Sequence, residues 1–62
     1  MKKNYVVYWK ENDSVKFAEY VRMDSAEWRF YDELQKGRKK VLLVDAKTKK
    51  ILMKQENVSK GF

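Results

Sequence analysis

The hydrophobic periodicity of this chain changes twice along its 62 residues, and this pattern constrains the fold more than any other feature. Short runs rich in β-branched and aromatic residues come first, and a spacing of four through Ala26, Phe30 and Leu34 follows them. After Gly37 the short aliphatic runs return. The runs are typical of strands, whereas recurrence at i, i+4 and i+8 is typical of a helix. The predicted order of elements is therefore ββαββ.

Turn-forming and capping residues set the predicted boundaries of these elements. Asp24, with Glu27 three residues later, is typical of a capping box that begins a helix. Gly37 is predicted to end that helix in the left-handed conformation. We expect one small α+β domain over residues 1–62, a four-stranded antiparallel sheet of two hairpins with one helix packed on one face, and a frayed tail at 57–62. The strands are predicted over 3–10, 15–23, 41–45 and 50–56.

Alternation along each strand divides its residues between two faces of the sheet. On the first two strands the larger apolar sets are predicted to face the helix: Tyr5, Val7 and Trp9, and Val15, Phe17, Val21 and Met23. A single helix covers only one face, so the other face is expected to expose apolar surface, which usually marks an interface. That second face is predicted to hold Val6, Tyr8, Ala18, Tyr20 and half of the run 41–44.

Two coverings for the second face are possible. A second copy of the chain could pack sheet to sheet, or edge strands could pair across a two-fold axis, which predicts a homodimer. Alternatively, Tyr8 and Tyr20, with Lys10, Lys16 and Arg22 beside them, could stack on unpaired bases, as aromatic residues do on four-stranded RNA-binding sheets.

Charge is divided unevenly along the chain. Residues 1–35 carry six basic and seven acidic side chains, net −1, whereas residues 36–62 carry nine basic and two acidic, net +7. A basic segment of this kind is typical of a surface that binds nucleic-acid phosphates, with weak sequence preference because lysine dominates. The alternative is that these lysines only solvate strands and protect sheet edges. The predicted phosphate-binding residues are Lys36, Arg38, Lys39, Lys40, Lys47, Lys49, Lys50 and Lys54.

Several function classes are disfavoured by composition. The chain has no Cys and no His, and therefore no thiol nucleophile, no imidazole base and no His/Cys metal cluster. We expect a non-enzyme without a cofactor or metal. The longest apolar run is the four residues 41–44, which predicts no membrane partner. Without a signal-peptide pattern, a cytoplasmic location is expected.

The leading hypothesis is a small binding module for DNA or RNA, typical in size of phage or mobile-element accessory proteins. The alternative is a protein-binding module or inhibitor, again as a homodimer, that docks an acidic partner protein. Its anchors would be aromatic side chains, with the lysines steering association. The predicted anchors are Trp9, Trp28 and Tyr31.

Overall fold

The computed structural model describes residues 3–56, and it confirms the predicted ββαββ order and the α+β class. The elements are β1 (Tyr5–Glu11), β2 (Ser14–Tyr20), α1 (Met23–Gln35), β3 (Lys40–Asp45) and β4 (Ile51–Glu56). The four strands form one antiparallel sheet in the order β2-β1-β3-β4, so that the two hairpins lie side by side. The tail expected to fray, residues 57–62, lies outside the described residues.

The hydrophobic core lies between α1 and one face of the sheet. The two central strands, β1 and β3, supply its fully buried aliphatic side chains, because a central strand under a helix is shielded on both edges. Ala26 on α1 is completely buried, and its small side chain lets the helix lie close to the sheet. The core cluster is Val7, Trp9, Ala26, Phe30, Val41 and Leu43.

The first hairpin closes with a two-residue turn at Asn12 and Asp13. Asn12 has a φ of 58°, a left-handed conformation that Asn tolerates better than most residues do. The turn places Glu11 opposite Ser14, and this pairing fixes the register of the whole hairpin.

The register places the side chains of β2 on the opposite faces from those predicted; we call this alternation of faces the phase of the strand. Lys16 lies opposite Trp9, and directly opposed residues of antiparallel strands point to the same face. Since Trp9 belongs to the core, the helix face of β2 carries Lys16, Ala18 and Tyr20. Val15 and Phe17 lie on the other face.

The phase was predicted wrongly because Val21 and Met23 were counted as strand residues. Val21 lies beyond the end of β2, and Met23 is the first residue of α1. Without those two residues, the apolar counts of the two faces of β2 are equal, so its composition does not determine the phase.

The N-terminus of α1 differs from the predicted capping box. Its N-cap is Arg22, without a side-chain hydrogen bond to the first turn. The Asp24 carboxylate instead accepts hydrogen bonds from Arg22 Nη2, at 2.9 Å, and from the Ser25 N–H, at 2.8 Å. The side chain that was predicted to cap the helix therefore lies within its first turn.

The predicted C-terminal glycine is confirmed. Gly37 has a φ of +87°, and its N–H donates to the Leu34 carbonyl at 3.0 Å. The Arg38 N–H donates to the Glu33 carbonyl at 3.3 Å. These two bonds form a Schellman motif, which satisfies carbonyls that the end of a helix leaves free.

Candidate nucleic-acid interface

The face of the sheet opposite α1, here called the open face, is not covered by any helix of residues 3–56. The prediction of an uncovered apolar second face therefore holds in part: β2 contributes different residues to it, and Val6 is buried there, with 7% of its surface exposed. Phe17 is 59% exposed there, and Val15 and Ile51 are similarly exposed. The open face is formed by Val6, Tyr8 and Lys10 of β1, Val15, Phe17 and Glu19 of β2, Lys40, Leu42 and Val44 of β3, and Ile51, Lys54 and Glu56 of β4.

A row across the middle of the open face joins two aromatic rings to an aliphatic side chain and a lysine. Phe17 pairs with Tyr8, Tyr8 with Leu42, and Leu42 with Lys54. The Tyr8 and Phe17 rings are in edge-to-face contact, with centroids 6.0 Å apart and planes at 64°. This contact orients the Phe17 ring while more than half of that side chain stays in solvent, so an aromatic base could stack on it.

Lysines adjoin this row at the end of the sheet nearest the first turn. Lys10 and Lys40 border a shallow hollow of about 430 Å³, whose floor includes Tyr8, Val15 and Leu42. Lys40 Nζ lies 3.4 Å from Glu56 Oε2, at the rim. Within residues 3–56, no carboxylate lies within ion-pairing distance of Lys10 or Lys54. The arrangement combines stacking surface with cationic groups and can hold an aromatic anion.

Three of the predicted phosphate-binding residues are paired with carboxylates: Lys40 with Glu56 on the open face, and Arg38 and Lys36 at the end of α1. Arg38 Nε donates to Glu33 at 2.8 Å, and Arg38 Nη2 lies 3.4 Å from Glu11. Lys36 Nζ lies 3.3 Å from Asp32 and 3.6 Å from Glu33. Arg38 and Lys36 therefore stabilise the end of α1.

The remaining predicted basic residues lie in separate places. Lys39 is exposed beside the first turn, next to Lys40. The other group, Lys47, Lys49 and Lys50, is exposed in the loop between β3 and β4. The six residues of β3 separate the two groups by roughly 17 Å. These two groups of lysines therefore do not form one continuous basic surface, because β3 lies between them.

The two tyrosines predicted to stack side by side lie on opposite faces of the sheet. Tyr8 is on the open face, whereas Tyr20 pairs with Tyr5 on the helix face. The Tyr20 hydroxyl accepts a hydrogen bond from Arg29 Nη1 at 3.2 Å. Phe17 takes the place of Tyr20 beside Tyr8, as a consequence of the phase of β2.

The three predicted protein-binding aromatics also differ in environment. Trp9 is buried in the core with the Arg29 guanidinium 4.5 Å from its ring centroid, so it is not an exposed anchor. Trp28 and Tyr31 are 68% and 53% exposed on the outer side of α1. They lie three residues apart, and side chains at this spacing are neighbours on a helix surface.

A carboxylate whose burial the sequence did not reveal, Glu33, takes part in ion pairs with Arg29, Lys36 and Arg38. Glu33 is completely buried, and Arg29 Nε donates to it at 2.6 Å. Burial raises the pKa of Glu33, but the hydrogen bonds from Arg38 and Arg29 outweigh that effect, and the pKa lies below its ordinary value. The cluster joins α1 to the start of the basic segment, and its role is structural.

The residues of this candidate site that sequence analysis missed are Phe17, Val15 and Leu42. The Asn12-Asp13 pair could have revealed the positions of Phe17 and Val15. Interpreting that pair as a two-residue turn fixes the register and places Phe17 beside Tyr8.

Comparison with protein-family models, with curated protein sequences and with solved structures found no match to this chain. In residues 3–56 no group of three or more His, Cys, Asp or Glu side chains is arranged to hold a metal ion. Over the same residues, no helix has the length and apolar character needed to cross a membrane.

Proposed function

We propose that this protein is a non-enzymatic module that binds single-stranded nucleic acid on the open face. In this proposal bases stack on Phe17 and Tyr8, and Lys10, Lys40 and Lys54 neutralise phosphates. The observation that carries the proposal is the edge-to-face contact between the exposed Phe17 ring and the half-buried Tyr8 ring, on a face that no helix of residues 3–56 covers. An open sheet with aromatic rings on neighbouring strands is a common surface for unpaired bases.

The chemistry of the surroundings favours a polyanion over an apolar partner. Lys10 and Lys54 have no carboxylate within ion-pairing distance among residues 3–56, and an apolar partner would leave both ammonium groups desolvated. Phosphates of a single strand would satisfy them while its bases cover the rings. A duplex keeps its bases stacked inside, so it would contact only the lysines and bind more weakly.

The test is a fluorescence titration of labelled oligothymidylate against the protein and two matched variants. Phe17→Ala removes the exposed ring of the open face, and Trp28→Ala removes an exposed ring of similar size on α1. Stacking contributes about 1–3 kcal/mol per base, so Phe17→Ala is expected to weaken binding at least about fivefold. Trp28→Ala is expected to leave binding unchanged, and a duplex of the same length should bind less tightly.

Two results would contradict the proposal. One is the absence of binding at low salt, where phosphate contacts are strongest. The other is equal loss in the two variants, which would mean that the open face has no special part in binding.

A second candidate function is supported by the aromatic pair on α1. Trp28 and Tyr31 contribute little to the core, and exposed Trp and Tyr side chains are typical anchors of protein interfaces. Glu27 and Asp32 flank them along the helix, so a partner at this surface would be basic instead of the acidic protein expected from the lysines. Capture of a partner that is lost in Trp28→Ala and kept in Phe17→Ala would favour this function.

A further inference from the structure

The free edge of β2 offers unpaired backbone groups in a regular row. All seven residues of β2 pair with β1 without a register shift. Because Glu11 and Ser14 flank a two-residue turn, they exchange backbone hydrogen bonds, and inward and outward pairing alternates from there. The N–H and C=O groups of Val15, Phe17 and Glu19 therefore point away from β1. Within residues 3–56, no turn, loop or cap supplies a backbone partner for them.

The two edges of the sheet differ in how well they could accept another strand. The β3–β4 ladder has a register shift at Leu43 and Val44, and such irregularities bend an edge and discourage pairing. In contrast, β2 is regular and contains no proline. A long, regular edge strand of this kind is a template for pairing with another chain.

The sequence of β2 is self-complementary about Phe17. An antiparallel pairing centred there places Phe17 opposite the partner's Phe17, Val15 opposite the partner's Glu19, and Lys16 opposite the partner's Ala18. All seven residues are then paired, and no like charges are opposed. A pairing centred one residue earlier would instead place Lys16 opposite the partner's Lys16, which is destabilising.

We infer that two copies of this chain pair through β2 about a two-fold axis at Phe17, forming a continuous eight-stranded sheet. Both copies of α1 lie on one side of that sheet, and both open faces join on the other side. The two rings of Phe17 then lie side by side between the two Tyr8 rings. With strands about 4.8 Å apart, this row of four rings spans roughly 14 Å.

The shared row makes each copy part of the other's binding site. This part of the inference rests on the proposed function, whereas the pairing of β2 does not depend on it. A strand of nucleic acid crossing the axis would stack on rings of both copies. Because the row is only about 14 Å long, a strand of a few nucleotides already covers rings of both copies, whereas a single nucleotide can stack on one ring only.

The pairing is tested by light scattering on the complete chain and two variants of one residue. Glu19→Pro removes an outward-pointing N–H and leaves the β1 ladder intact, as proline on an edge strand can. Glu19→Ala removes the same carboxylate and keeps the N–H. The wild-type protein and Glu19→Ala are expected to have the mass of a dimer, and Glu19→Pro that of a monomer. A monomeric wild-type protein at its highest soluble concentration overturns the inference.

A disulfide test does not depend on a proline variant folding. The chain has no cysteine, so Phe17→Cys introduces a single thiol. Directly opposed residues of a hydrogen-bonded antiparallel pair have Cα atoms about 5.5 Å apart, within the range of a disulfide. Mild oxidation is expected to link Phe17→Cys into dimers, and Lys54→Cys on the other edge to remain single chains. Equal linking of the two variants overturns the pairing.

The shared site has its own readout in oligonucleotide length. Glu19→Pro is expected to weaken binding of an oligothymidylate of about six nucleotides, which spans the row of rings, roughly tenfold, and to leave the binding of a single thymidine nucleotide unchanged. An unchanged affinity for both lengths overturns the shared site. A dimer that binds no oligonucleotide supports the pairing and overturns the proposed function, and a monomer that binds does the reverse.

Discussion

Glu33 shows how a single residue can link separate elements of a small domain. Its carboxylate is buried beneath α1 and accepts hydrogen bonds from Arg29 on the same helix and from Arg38 beyond its end. A buried carboxylate is costly unless its partners compensate it, and here two guanidinium groups do so. Arg38, near the start of the basic segment, thus stabilises the fold.

Replacing Glu33 is predicted to destabilise the protein strongly. Glu33→Gln leaves Arg29 and Arg38 without their carboxylate, and breaking a buried ion pair of this kind costs about 3–5 kcal/mol. Asp32→Asn is the matched control, since it breaks a more exposed pair with Lys36 and should cost less than about 1 kcal/mol. Urea unfolding followed by circular dichroism measures both values. Equal destabilisation by the two variants would contradict the structural role of Glu33.

The same carboxylate predicts how stability depends on pH. The pKa of Glu33 is lower in the folded protein than its ordinary value of 4.5, because the arginine hydrogen bonds outweigh the effect of burial. Its contribution is therefore fully present above the unfolded pKa and is lost as pH falls through the folded pKa. We expect the urea midpoint to fall as the pH decreases below about 4.5, and to fall less steeply in Glu33→Gln. A parallel decline in both proteins would assign the acid sensitivity to other groups.

At the scale of elements, the sequence predicted every helix and strand because each has a strong local signal. Gly37 at the end of α1 could be predicted from its residue type, because its left-handed conformation depends only on local backbone geometry. The phase of β2 needed tertiary information, because the apolar residues in Ser14–Tyr20 are divided equally between its two faces. The capping carboxylate of Asp24 was misassigned since Arg22, two residues earlier, competes for it.

Gly37 provides a test of the helix end by backbone conformation alone. Its φ of +87° is strained for any residue with a Cβ, and a Cβ built there would meet no atom within 4 Å. Gly37→Ala is therefore predicted to cost about 1 kcal/mol through strain without a clash. Gly37→Asn should cost less, because Asn tolerates the left-handed region. Thermal unfolding of the two variants checks this order, and an equal loss would indicate a steric cause.

At the scale of the whole molecule, the one helix of residues 3–56 cannot cover both sides of the sheet. One helix of thirteen residues is about 20 Å long and packs on a single face. The sequence could predict that the second face stays apolar, because the aliphatic and aromatic residues outnumber the positions that one helix covers. It could not predict which lysines reach that face, since lysines close in sequence lie at opposite ends of β3.

The salt dependence of binding can decide which of these lysines contact phosphates. Each phosphate neutralised on a single strand contributes about −0.7 to the slope of log K against log salt, so three contacts on the open face predict a slope near −2. Lys10→Ala removes one open-face charge and is expected to reduce the slope by about 0.7. Lys47→Ala, an exposed loop lysine at the far end of β3, should leave the slope unchanged. If the loop variant alone reduces it, the phosphates lie along the β3–β4 loop, and the stacking surface of Phe17 and Tyr8 is not where nucleic acid binds.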